Sequence, residues 1–155
     1  LPLLCLFRSD SHLDLPLLRT QIERRWSHKK IHFVWESLTL EEFHSHISNS
    51  AVVVMPFLVV PSEIPLTVYE AAGMGKTVIT TGPHGTGEFV ATFGEMVQVG
   101  SVGGLADALL RAARAAKGDN IINEEALAAY RRLDTWQAVS DRWEALAINL
   151  GMPES

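Results

Sequence analysis

A chain of 155 residues, 47% hydrophobic and 20% charged, is long enough for one domain with a real core and too apolar to be disordered. Its net charge of −5 excludes the basic footprint of a nucleic-acid binder and a polybasic membrane surface. A single cysteine, Cys5, excludes an internal disulfide, and the longest apolar run, 51–60, is interrupted by Pro56 and falls short of a membrane span.

The first strand candidate is 3–7, LLCLF, with Cys5 as a small buried thiol. This apolar start lacks the basic flank and cleavage site of a signal peptide, and a core strand at the first residue is expected of a chain cut from something larger. Leu15, Leu18 and Ile22 recur at helical spacing, and Trp26 closes the stripe. A second strand is expected at 31–34. Thr39, with Glu42 three residues later, is a capping box, and Leu40, Phe43 and Ile47 form the buried stripe behind it. The third strand, 51–55, is β-branched without polar alternation, as expected when both faces are covered. A helix at 66–73, a strand at 77–80, a glycine-rich loop at 82–87 and a short strand at 96–99 follow. Leu105, Leu109 and Ala112 head an alanine-rich helix ending near Gly118. A helix over 124–132 comes next. The last helix carries Trp136, Val139, Trp143, Leu146 and Leu150 on one face, with Asp134 and Gln137 as its cap pair. Strands alternating with helices predict a single domain over 1–155. Its fold is a Rossmann-like, doubly wound parallel sheet of five to six strands with helices on both faces.

Ligands of such sheets sit beyond the carboxyl ends of the strands. Arg8, the turn at 35–37, the loop at 57–66 and the loop at 81–88 all leave strands at that edge. The stretch AVVVMPFLVVPSEIPLTVYEAAGMGKTVIT is the most informative of these. A helix start just past a strand offers backbone N–H groups without intrahelical partners, and the helix dipole favours negative charge there. Two carboxylates beside it, Glu63 and Glu70, suit a hydroxyl-rich ligand, because an ionised carboxylate only accepts hydrogen bonds. The combination predicts a phosphate joined to sugars: a nucleotide or a nucleotide sugar.

Two other motifs fail on spacing. GMGKT imitates the end of a phosphate-binding Walker loop, but the earlier glycine it requires would fall at Glu70, and the piece precedes a strand instead of following one. Lys76 then reads as an exposed lysine in a helix-to-strand turn. His44 and His46 are two apart on a helix, so they point to different faces and cannot share a metal.

The segment PSEIPLTVYEAAGMGKTVITTGPHGTGEFV resembles the signature of glycosyltransferase family 4, the retaining GT-B enzymes also called group 1 glycosyl transferases. Pro65, Glu70, Ala71, Gly75, Val78, Ile79 and Glu88 fall where that signature has them. IHFVWESLTLEEFHSHISNSAVVVMPF is similar to the family's strand, capped helix and next strand, LLCLFR to its opening strand ending in arginine, and the helix around Trp136 to its closing segment. The resemblance implies the C-terminal, donor-binding half of a two-domain enzyme, its acceptor-binding N-terminal half lying outside this chain. It implies transfer of a sugar from a nucleoside-diphosphate sugar to an acceptor hydroxyl with retained configuration, without a metal or other cofactor. No Asp-x-Asp metal cluster is present in the sequence. The single cysteine permits a reduced, cytoplasmic location, with any membrane-surface contact made by the missing half.

On this resemblance Arg8 clamps the donor diphosphate, where a guanidinium fork matches phosphate geometry. Glu70 accepts hydrogen bonds from the ribose hydroxyls. Glu63 contacts the transferred sugar or the acceptor side, and Ser62 holds the first-glutamate position counted from Pro65 and Glu70. The backbone amides of Ile64, Leu66 and Thr67 face phosphate, with Pro65 presetting φ at the helix start. Gly85 and Gly87 let a loop approach the donor closely. Ser37 and Trp35 line the nucleobase, although core packing is the preferred reading for Trp35. Each residue also has a plainer role: a surface arginine, a first-turn carboxylate complementing the dipole at Glu70, a solvated loop glutamate at Glu63. Glu88 reads as a helix-start carboxylate. Three positions depart from the family pattern. Glu63 and Glu70 are seven apart where eight is usual, Leu13 stands where a lysine is common, and Trp35 replaces a glycine. A non-catalytic binding or assembly module that kept the fold, or another GT-B enzyme such as a nucleotide-sugar epimerase, therefore stays open.

Overall fold

The computed structural model describes residues 3–6, 15–26, 31–58, 64–81, 85–116 and 122–149. Its elements are β1 (Leu3–Leu6), α1 (Leu15–Trp26), β2 (Ile31–Val34), α2 (Leu40–Ser48), β3 (Val52–Met55), α3 (Leu66–Gly73), β4 (Thr77–Thr80), α4 (Gly85–Val90), β5 (Glu95–Met96), α5 (Val102–Ala115), α6 (Glu124–Arg131) and α7 (Trp136–Asn149). The chain divides into two compact units, Leu1–His46 and Ile47–Ser155. Every paired strand is parallel. The five strands form two ladders, β1-β2 and β3-β4-β5, where the sequence predicts one continuous sheet.

In the first unit β1 and β2 pair in register from Leu3↔Ile31 to Leu6↔Val34. Leu18, Ile22 and Trp26 of α1 are half-buried while Leu17 is exposed, so the stripe read from the sequence is the covered side of the helix. Trp35 stacks on Phe33 with ring centroids 6.1 Å apart, which favours its packing role. Burial pushes the Cys5 thiol above its ordinary range, consistent with an inert side chain.

The capping box at the start of α2 forms as expected. The Thr39 N–H donates to Glu42 Oε2 at 2.8 Å, and the Glu42 N–H donates to Thr39 Oγ1 at 3.2 Å. These bonds, the backbone one first, hold the Glu42 carboxyl below its ordinary range. The stripe behind the box is shorter than expected. Ile47 is buried and Phe43 half-buried, but Leu40 is 65% exposed, because the first helical residue lies a turn short of the covered face.

The second unit is organised around β4, whose register runs from Val52↔Thr77 to Met55↔Thr80 on one side and through Ile79↔Glu95 and Thr80↔Met96 on the other. Successive strand residues face opposite ways. Ile79 packs with Val97 and Ala108, joined by Val52, Val54, Leu105, Leu109 and Ala112, so α5 covers that face. Val78 points the other way and is also fully buried, and α3 and α4 both contact β4. This central strand thus has helices on both faces, which explains why residues 52–55 and 77–80 carry almost no polar alternation.

Short connections fix these helices. Gly75 takes φ +66°, the left-handed region, and closes α3 with two reverse bonds: Gly75 N–H to the Ala72 carbonyl and Lys76 N–H to the Ala71 carbonyl, both 2.9 Å. GMGKT is therefore a helix C-cap of the Schellman type. Lys76, expected to be exposed, is only 2% exposed. The cap turns its backbone inward to start a buried strand, and the side chain follows. At Gly94 a Cβ would lie 2.2 Å from the Val78 carbonyl oxygen, so only glycine lets the chain leaving α4 cross β4.

Three further expectations change. The fifth strand is Glu95–Met96 and not 96–99, because the pairing with β4 ends at Thr80 and the chain then turns through Gly100 at φ +77°. The start of α7 is capped by Thr135, whose Oγ1 accepts from the Ala138 N–H at 3.2 Å. Asp134 instead pairs with Arg142 at 2.6 Å and Gln137 donates to Asp141 at 2.8 Å, each bridging turns of the same helix surface. The apolar face of α7 is open: Trp136, Trp143 and Leu146 are all exposed. Helical spacing sets which side chains share a face and not what covers it.

Candidate functional site

The loop into α3 leaves the carboxyl end of β3, and the loop into α4 leaves the carboxyl end of β4. In a parallel sheet both helices therefore begin at the same edge, where ligands of α/β folds bind. Pro65 is the N-cap of α3, with φ −60° and ψ 140°, and no side chain among the described residues caps the helix. Proline at this position offers neither a side-chain acceptor nor its own N–H, and the first internal bond, Val68 N–H to the Pro65 carbonyl at 2.9 Å, forms three residues on. The amides of Leu66 and Thr67 open the helix at this edge. Leu66 is exposed, while Ile64 and Thr67 are half-buried.

Val68, Ala71 and Ala72 form the fully buried face of α3 at i, i+3, i+4 spacing, and α3 packs on α6. Glu70 lies off that face and is half-buried. It is the fifth residue of the helix, and the first turn carries no acidic residue. The plainer role of a first-turn carboxylate complementing the dipole therefore does not apply, since that effect fades beyond the first turn. A second helix is tied alongside: Tyr69 of α3 and Phe89 of α4 meet at 5.1 Å between centroids, and Phe89 and Phe93 at 5.2 Å. Edge-tilted aromatic contacts of this kind fix the spacing of the two helices.

Gly85 and Gly87, expected in a loop, lie in the first turn of α4. With Thr86 and Gly87 buried, the small side chains here bring this turn close against its surroundings instead of leaving a mobile approach. Glu88 is exposed in the same turn, the dipole-complementing carboxylate the sequence predicts. Ser37 is exposed just past β2, in the first unit. Arg8, Ser62 and Glu63 lie outside the described residues.

The structure adds a cluster that sequence reasoning passes over. Met55 O accepts the Phe57 N–H at 3.0 Å across Pro56, a three-residue turn that suits the fixed φ of proline. The same carbonyl accepts the Thr80 hydroxyl at 3.1 Å, and the Phe57 carbonyl accepts the Thr81 hydroxyl. Both threonines are buried. The signal was a pair of hydroxyls closing an apolar strand, TVITT, where valine or isoleucine would pack as well. At the opposite, amino edge Asn123 has a matching role. Its side chain donates to Thr77 Oγ1 at 2.9 Å and to the Phe93 carbonyl at 2.8 Å, and accepts from the Ala126 N–H at 3.1 Å.

Among the described residues no group of three or more His, Cys, Asp or Glu side chains could hold a metal ion, and no helix is long and apolar enough to cross a membrane. Among solved structures, sucrose-phosphate synthase from Thermosynechococcus elongatus superposes with a TM-score of 0.72 at 22% identity, over 95% of this chain and 38% of its own. AviGT4, a glycosyltransferase involved in avilamycin A biosynthesis, superposes with a TM-score of 0.63 at 20% identity, over 93% of this chain and 41% of its own. The chain thus spans about two fifths of the length of these structures, and at such identities the likeness is one of fold. No curated protein matches the sequence. Residues 14–115, well over half of the chain, match the family described as glycosyl transferases group 1, and the chain belongs to that family.

Proposed function

We propose that this chain is the donor-binding half of a retaining glycosyltransferase, taking a nucleoside-diphosphate sugar and working with an acceptor-binding domain of the same protein. The observation that carries the reading is the start of α3 at the carboxyl edge of β3 and β4, capped by no described side chain, with Glu70 one turn on and off the buried face. Helix-start amides would hold the diphosphate and Glu70 the ribose hydroxyls. In the reaction the bond between the anomeric carbon and the diphosphate oxygen breaks, the acceptor oxygen bonds to that carbon, and the acceptor proton is lost to solvent or base. The diphosphate gains charge as it leaves, and the Arg8 guanidinium and the α3 amides would stabilise it. Ser62 and Glu63 would face the transferred sugar, Ser37 the nucleobase, and the turn at Gly85 and Gly87 the donor from the α4 side. None of these groups requires a metal or another cofactor.

The departures at Leu13 and in the Glu63–Glu70 spacing favour one second reading, a module that kept the fold and binds no donor. Calorimetric titration with UDP, GDP and ADP separates them. The donor reading predicts that one nucleotide binds and that Arg8→Ala and Glu70→Ala each weaken it about tenfold or more, the loss of a charge-assisted contact. A well-folded longer protein, carrying its other half, that binds none of the three would favour the second reading.

A further inference from the structure

We propose that Thr80 and Thr81 are positioning residues of the donor site, acting through the exit of β3. This rests on the donor-site reading. The two side chains leave consecutive positions at the end of β4 and reach two carbonyls of one turn, Met55 O at 3.1 Å and Phe57 O. The Met55 carbonyl is already engaged by the Phe57 N–H, so the Thr80 hydroxyl binds the turn at its closing bond. Thr80 is also held from its far side, where the Val97 N–H donates to its carbonyl at 2.8 Å. The chain leaving β3 is thereby tied to β4, and β4 to the segment after β5.

A strand buried on both faces has no packing need for hydroxyls. Thr80 is 0% and Thr81 5% exposed, and a valine fills nearly the same volume. Keeping a hydroxyl at such a position has value only through its hydrogen bond, since burying the group unbonded is unfavourable. Both bonds go to the one turn that aims the chain toward α3. The ladder from Val52↔Thr77 to Met55↔Thr80 already holds the strands together, so the added bonds fix what lies beyond the ladder's end. The exit of β3 is thereby held to the strand against which α3, and with it the α3 start, packs. A displacement of that start by a fraction of an ångström would misalign amides that act on a phosphate only at hydrogen-bond distance.

The test compares Thr80→Val, Thr81→Val and Thr81→Ser in the full chain. Two readouts are taken: amide hydrogen exchange at Phe57, and affinity for whichever of UDP, GDP and ADP the unsubstituted chain binds. The valine variants are expected to speed exchange at Phe57 and weaken nucleotide binding about fivefold each, the loss of one neutral hydrogen bond. Thr81→Ser, which keeps the hydroxyl, is expected to restore both, whatever its melting temperature. Valine variants that melt earlier yet bind nucleotide like the unsubstituted chain would overturn the positioning role and leave the donor reading intact. Unchanged exchange at Phe57 would overturn the latch itself. A well-folded longer protein, carrying its other half, that binds none of the three nucleotides would overturn both readings.

Discussion

Glu70 is the residue whose place in the structure says most about its role. A carboxylate in the middle of a helix, half-buried and off the packed face, contributes little through the helix dipole. Its neutral isostere should therefore fold normally. Glu70→Gln is expected to leave the melting temperature within about 2 °C of the unsubstituted chain while weakening nucleotide binding, because an amide presents one acceptor where the carboxylate presents two. Thermal melts beside titrations check this, and a large loss of stability with unchanged affinity would contradict it. Lys76 illustrates a different residue-scale effect. Burial holds its ammonium below the ordinary lysine range. The folded chain therefore binds that proton less tightly than the unfolded chain does. The penalty for the buried charge is complete at pH below the folded value and disappears as pH rises into the ordinary lysine range. Relative to Lys76→Met, the unsubstituted chain should gain stability as the pH rises into the ordinary lysine range near about 10, read from paired melts. A difference that stays constant or grows in the other direction would refute the assignment.

At the scale of elements, the ends of the helices carry more of the design than their middles. The box at Thr39 satisfies two otherwise orphaned donors of α2, and Thr39→Ala should lower stability by about 1 kcal/mol in denaturant unfolding. The cap at Gly75 is more demanding. Alanine there must adopt φ +66°, and its Cβ would lie 2.9 Å from Ile122 Cγ2. Left-handed backbone alone costs about 1–2 kcal/mol, so Gly75→Ala should destabilise by at least that much. The contrast with α3's other end is informative. Its C-terminus is closed by two backbone bonds and tied to α6 through the Asn123 N–H and the Gly75 carbonyl at 2.7 Å, while no described side chain caps its N-terminus.

These ends also show what could be read from the residues beforehand. The strands at 31–34 and 77–80 and the helix at 66–73 were legible to the residue, because β-branched runs and the Gly75 stop leave little choice. The Thr39 box was legible for the same reason, its chemistry being local. The Asp134–Gln137 cap was not, since Thr135 beside it offers an equally good acceptor and backbone direction decides between them. Gly85 and Gly87 read as loop because glycine is a weak helix former, but tertiary packing of Thr86 and Val90, both fully buried, outweighs propensity. Burial of Lys76 and the threonine latch depend on contacts distant in sequence, Met55 to Thr80 being 25 positions apart, which no local pattern encodes.

For the whole molecule, the α/β architecture and the family match rest on residues spread along most of the chain. The chain spans 38% and 41% of the two solved structures. On the proposed function, charge stabilisation and ribose binding fall to this chain and acceptor activation to the other domain. This chain alone should accordingly bind a nucleotide and transfer no sugar, as a product assay with donor and acceptor would report. The central claim is that the nucleotide sits at the start of α3, and amide chemical-shift mapping of a nucleotide titration tests it most directly. The account predicts the largest shifts at Ile64, Leu66, Thr67 and Glu70, with Asn123 and the rest of the amino edge unmoved. Shifts concentrated at the amino edge, with the α3 start silent, would contradict it.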